Sequence, residues 1–260
     1  MQVLAYFIIS LLASVAGAIC GIGGGVIIKP TLDLFHLDSV ATVSFLSGCT
    51  VLAMSCYSVT KALRAGDSKV DLKLGTPLAI GAAVGGVAGK QMFAVISAAF
   101  AETAGAVQAA CLFVITLATM LYTINKRRIR THKIFKVWVC VAIGLALGIM
   151  SSFLGIGGGP INLVVLYYFF SMSAKTAAQN SLYIILVSQI TSLATTFVTN
   201  TVQPFEWSWL ILMVAGGIGG GVVGRCINKR ISNKQVEKLF IGLMVVIIGI
   251  SCYNTWAFLE

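Results

Sequence analysis

The chain has 260 residues, 58% of them hydrophobic and only 10% charged, with a formal net charge of +10. A soluble domain averages about a quarter charged residues, so this composition assigns the chain to a bilayer. It excludes a soluble enzyme, a nucleic-acid binder and a disordered scaffold.

A bilayer-spanning helix needs about 20 predominantly apolar residues. In chain order, apolar runs cover residues 3–20, 25–35, 39–60, 74–100, 103–124, 135–154, 160–172, 176–199, 207–225 and 237–258. The short connections leave no room for a soluble domain. Met1-Gln2 carries no basic segment of the kind that opens a cleaved signal peptide, so the first run is expected to be retained. Trp138, Trp207, Trp209 and Trp256 sit at run edges, where amphipathic rings favour the headgroup region. The seven cysteines are scattered without a CxxC pair and read as small hydrophobes. His36 and His132 fall in predicted connections, and neither a metal nor a cofactor is expected.

The two halves repeat each other. Gly21-Ile22-Gly23-Gly24-Gly25 recurs as Gly155-Ile156-Gly157-Gly158-Gly159, Val40–Phe45 faces Ala177–Leu182, and Gly85–Lys90 recurs as Gly220–Arg225. The offsets are 134, 137 and 135 residues, and three collinear blocks indicate duplication. Charge then sets the topology. Of the 18 Lys and Arg residues, 15 fall in three clusters: 61–73, 126–136 and 225–238. Eight simple crossings would put the third cluster opposite the first two, against the rule that basic loops stay cytoplasmic. If each glycine-cluster segment instead enters and leaves by one face, all 15 charges fall inside. The connections near Glu102 and Glu206, and Glu260, then fall outside, with Lys90 as the one basic exception, able to snorkel. The expected fold is therefore an all-α polytopic membrane protein of two inverted repeats, 1–130 and 131–260. Each repeat is a glycine-broken re-entrant hairpin followed by three transmembrane helices.

A contiguous glycine cluster cannot sustain a membrane helix, since each glycine costs about 1 kcal/mol relative to Ala. It permits a tight break between two half-helices. Broken backbone at membrane depth is tolerated where protein or a water-filled cavity satisfies it, and the following half-helix aims its positive N-terminus at that cavity. Close helix packing is the alternative role for glycine. It suits the Gly85/Gly89, Gly217/Gly221 and Gly220/Gly224 spacings better than the contiguous clusters. A Rossmann or phosphate-loop reading fails, because no strand pattern precedes either cluster and no Gly-Lys-Ser/Thr follows.

The duplicated GIGGG with Pro30 downstream, the Ala-rich blocks ending in Ser44 and Ser181, and the Gly-Gly-x-x-Gly-basic helix ends together resemble the TauE/SafE family of sulfite and organosulfonate permeases. The resemblance spans essentially the whole chain. It implies a polytopic inner-membrane carrier of small sulfur-containing or organic anions. Pro160 follows the second cluster directly and Val164 replaces the counterpart of Pro30, so the two half-sites are not equivalent.

Candidate substrate contacts cluster at the breaks: Gly23, Gly24, Gly25, Gly157, Gly158 and Gly159 through their backbone, and Asn162 through its amide. Lys29 is an ionisable residue within an apolar half-helix and is either a site residue or a snorkelling one. Thr42, Ser44, Gln179, Asn180 and Ser181 form a polar patch on the next helix of each half, with a helix-opening turn as the alternative reading of 179–181. Ser188, Gln189, Thr191 and Ser192 extend a polar path. Asp33 marks the hairpin's exit to water, with carriage of a coupling proton as its alternative. Alternating-access transport of a small anion is the leading expectation. No ATPase motif is present, so a gradient, most simply of protons, drives it. With no HExxH, no GxSxG elbow and no intramembrane aspartate pair, no enzyme activity is expected. An anion channel or a non-transporting membrane subunit is the alternative. The expected partners are the small anion and the lipid bilayer.

Overall fold

A computed structural model describes residues 2–35, 39–99, 104–199, 202 and 205–258. The expectations placed on His36, Glu102 and Glu260 lie outside the described residues. Helices follow the apolar runs: α1 (Gln2–Cys20), α2 (Gly25–Leu34), α3 (Val40–Arg64), α4 (Leu72–Ala99), α5 (Ala104–Asn125), α6 (Val137–Phe153), α7 (Pro160–Phe170), α8 (Ala174–Val198), α9 (Trp207–Arg230) and α10 (Asn233–Ala257). No strand occurs among the described residues. Six helices, α3, α4, α5, α8, α9 and α10, are long and apolar enough to cross a membrane. Their outer faces expose residues such as Val84, Val114, Ile211 and Val245, the surface that a lipid solvent permits and water does not.

The glycine clusters break the chain at equivalent points. Gly21 and Gly23 adopt φ of 77° and 74°, and Gly155 and Gly157 adopt 66° and 68°, a left-handed conformation open to glycine at little cost. After each break the chain doubles back. In the second half, His132 N–H donates to Tyr168 O at 2.7 Å and Ile134 N–H to Phe169 O at 3.1 Å, so the approach to α6 lies beside the end of α7. Pro160 starts α7 at a position where its missing N–H is no loss. In the first half Ile28 and Leu32 of α2 share a core with Tyr6 and Ala13 of α1. The two tips touch, with the backbone at Gly25 lying against the Ile156 carbonyl.

Packing crosses between the halves. Gly81, Gly85 and Gly89 of α4 lie on the carbonyls of Val141, Leu145 and Ile149 of α6, and Gly216, Gly220 and Gly224 of α9 lie on those of Phe7, Leu11 and Val15 of α1. A Cβ at any of these positions would overlap backbone, so the glycine stripes set the helix separation. Exchanging α1–α5 for α6–α10 maps packed pairs onto packed pairs: α4–α6 onto α9–α1, α3–α9 onto α8–α4, and α2–α10 onto α7–α5.

This correspondence corrects the middle sequence block. The α3 and α8 helices begin at equivalent caps, Ser39 accepting from Thr42 N–H and Ser173 accepting from Thr176 N–H, an offset of 134 rather than 137. Gly86 against Ser188 and Gly221 against Met54 give the same register. The helix starts where a serine satisfies free N–H groups, not where the Ala-rich composition begins. Residues 179–181 consequently lie in the second turn of α8, and the opening-turn reading falls.

Ion pairs gather the basic clusters at one end of the bundle, here the basic face. Asp67 pairs with Arg225 and Lys229, tying the first cluster to the third. Lys126 pairs with Glu237, tying the second to the third, and its ammonium also sits 4.5 Å from the Tyr167 ring centre. Lys175, outside the clusters, joins them through the Lys229 carbonyl.

Candidate functional site

A cavity of about 490 Å³ opens at the face opposite the basic one. Its walls come from the start of α3, the end of α4, the start of α5 and the end of α8, and Gly155 and Gly157 of the second break lie at its base. The polar lining is neutral: Ser44, Gln108, Gln189, Ser192, Thr195 and Thr199 contribute hydroxyls and amides. Lys90 is the one charged residue on this wall among the described residues. It is half-buried, and its ammonium donates to Ser192 O at 3.0 Å and contacts Thr196 Oγ1. It reaches across to α8 rather than snorkelling. An ammonium held only by neutral acceptors keeps a field that attracts an anion, and the hydroxyls and amides around it can donate to oxyanion oxygens. Gly157 fits beneath the Gln189 amide where a Cβ would collide with it.

Lys29 lies one layer behind. It is 4% exposed, its ammonium is 3.0 Å from Asp33 Oδ2 and 2.9 Å from Gln108 Oε1, and its stem packs under Gly155. Gln108 Nε2 donates to Phe153 O at 2.6 Å, so one amide joins the buried pair, the second hairpin and the cavity wall. Asp33 is buried, with its second carboxylate oxygen unpaired among the described residues, rather than marking an exit to water. Nearby, Asn254 donates to Pro30 O at 2.9 Å and anchors α2 on α10.

The remaining sequence candidates divide by location. Ser44 and Gly157 line the cavity; the Ser44 hydroxyl also bonds Val40 O at 2.7 Å. Thr42 completes the α3 cap with Ser39. Gly23 and Gly158 pack on Ile185, Gly24 on Ser14, Gly25 on Ile156 and Gly159 on the Ile156 side chain. Asn162 is buried beside Gly157 and Ser188, with its amide oxygen unpartnered among the described residues. Gln179 and Asn180 lie toward the basic face: Gln179 accepts from Lys69 N–H, and Asn180 both accepts from Asp71 N–H and donates to Lys69 O. Ser181 is buried and matches Ser47 in the 134-residue register, and both hydroxyls lack a partner among the described residues. Sequence reasoning passed over Gln108 and treated Lys90 only as a topology exception. Their signal was a charged or amide side chain inside an apolar run, the same signal that drew attention to Lys29.

Six spans, two glycine-broken hairpins and a polar cavity open at one face define a multi-pass membrane transporter. Residues 6–251 match the family described as Sulfite exporter TauE/SafE, and the chain belongs to that family. It is 26% identical over 267 residues to a protein of Bacillus subtilis (strain 168) named Probable membrane transporter protein YunE, covering 94% of each chain. No solved structure matches it.

Proposed function

We propose that the protein is a secondary carrier of a small anion, most simply a sulfur oxyanion such as sulfite or an organosulfonate. The observation that carries this reading is the cavity itself, roomy, lined by neutral donors and holding, among the described residues, one cation without an acid partner, Lys90. Two inverted repeats, 1–130 and 131–260, would supply alternating access. The exchange of packed helix pairs and the gathering of basic clusters at one face support that arrangement. The basic face is then cytoplasmic. A channel would need both ends open at once, and the corresponding pocket near the basic face holds only about 40 Å³. A proton is the proposed coupling ion, with Asp33 as its carrier beside the cavity wall.

The test is saturable uptake and exchange by purified protein in proteoliposomes across sulfite, sulfoacetate, taurine, thiosulfate, sulfate and small carboxylates. Saturable flux of at least one sulfur anion, with negligible single-channel current, is the expected result. No flux of any anion would remove the carrier assignment.

A further inference from the structure

The cavity has a collapsed twin. A small pocket of about 40 Å³ sits near the basic face, lined by residues of α1, α3, α8 and α9. The 134-residue register applies to α1 with α6 and to α3 with α8, and 135 to α4 with α9. On these offsets every residue lining the small pocket except Val70 has its equivalent on the wall of the large cavity. Ala18 corresponds to Ser152, Ser58 to Ser192, and Arg225 to Lys90. Two voids with equivalent walls therefore differ about tenfold in size, while the exchange relation holds for the helices around both.

We infer that the small pocket is the second access site for the anion, shut in this conformation, and that Asp67 is its latch. The inference rests on the carrier reading. Arg225 occupies the position that Lys90 holds at the open side, and Lys229 adds a second cation on the same wall. Both are paired with the Asp67 carboxylate, which reaches them from the connection between α3 and α4. Beside the latch, the amides of Gln179 and Asn180 tie the same connection to α8. Among the described residues the open side has no such acid, since Lys90 bonds only neutral oxygens there. Opening the basic face separates Asp67 from its partners and leaves two uncompensated cations facing the pocket. They form an anion site of the same class as the Lys90 site, with Asp67 as the group the anion replaces.

Thiol accessibility tests this without any transported substrate. Ser58→Cys and its equivalent Ser192→Cys are introduced separately, and their reaction with a small water-soluble maleimide is followed by site-resolved mass spectrometry. Each rate is normalised to that of the same thiol in denatured protein at the same pH. In the otherwise unchanged protein Ser192→Cys should react much faster than Ser58→Cys. Adding Asp67→Asn should raise the Ser58→Cys rate by about threefold to tenfold and lower the Ser192→Cys rate. Equal rates at the two thiols without Asp67→Asn, or no change on adding it, would overturn the inference. If Asp67→Asn fails to reach the membrane, Lys229→Gln tests the same latch on a half-exposed side chain, with a smaller change of the same sign expected and no change refuting it. Flux without reciprocal labelling would remove the latch and keep the carrier. Reciprocal labelling without flux of any tested anion would do the reverse.

Discussion

Three lysines at different depths have three different surroundings, and that decides what each can do. Lys229 is half-exposed and paired with Asp67, Lys29 is buried and paired with Asp33, and Lys90 faces the cavity with neutral partners. Lys90→Ala should therefore cut anion flux by about tenfold to a hundredfold, the scale of a lost charge-assisted hydrogen bond. The thermal midpoint in detergent should barely move, and Lys90→Arg should recover part of the flux. Removing Lys29 alone strands a buried carboxylate, and breaking such a pair costs about 3–5 kcal/mol. Lys29→Ala should lower the melting temperature strongly, whereas Lys29→Met with Asp33→Leu should restore it, because an apolar pair has no charge to desolvate. That double variant is expected to exchange anions down their gradient and to lose accumulation driven by an imposed pH gradient. Retained accumulation would free Asp33 from the coupling role.

At the level of helices, the same residue type does opposite work in different places. Gly85 and Gly220 lie on the backbone of a neighbouring helix, while Gly242 and Gly249 of α10 have open space beside them. Gly85→Leu and Gly220→Leu should each cost more than the roughly 1–3 kcal/mol of ordinary overpacking, because backbone rather than a rotatable side chain stands in the way. Gly249→Ala should be neutral or stabilising by up to about 1 kcal/mol, the helix preference of Ala over Gly. Melting of fluorescently tagged protein on size exclusion separates these outcomes. The helices were readily legible in the sequence because apolar length is a local property. The breaks were legible because contiguous glycine forbids the helix that the flanking residues demand. The register of α8 was not, since Ala and polar residues at 177–182 imitate the α3 block while the serine cap at Ser173 fixes the start. Nor was the cavity wall legible. Gln108 of α5 and Gln189 of α8 reach the wall of one cavity only in the folded bundle, and no spacing along the chain encodes that.

The molecule as a whole is less symmetric than its helix arrangement. Acids and cations are distributed unequally between the two access routes: Asp67 closes one, and no acid lines the other among the described residues. The hydrogen bond from Lys229, followed by that from Arg225, holds the Asp67 carboxyl below the ordinary carboxylate range. A carboxyl depressed in the folded state stabilises its closed partner set above its ordinary range, and the contribution fades as pH falls through the lowered value. Acidifying the basic face should thus raise the labelling of Ser58→Cys relative to the same thiol in denatured protein at that pH, and Asp67→Asn should abolish this relative gain.

The crossed packing also bears on how the chain is made. The glycine-lined seat of α1 belongs to α9, so α1 is made well before the helix on which its backbone contacts close. A nascent chain halted after α5 holds a hairpin with no partner and a glycine stripe on α4 with nothing against it, a natural substrate for membrane quality control. Supplied as two polypeptides split between α5 and α6, the halves should each be short-lived alone and persist together.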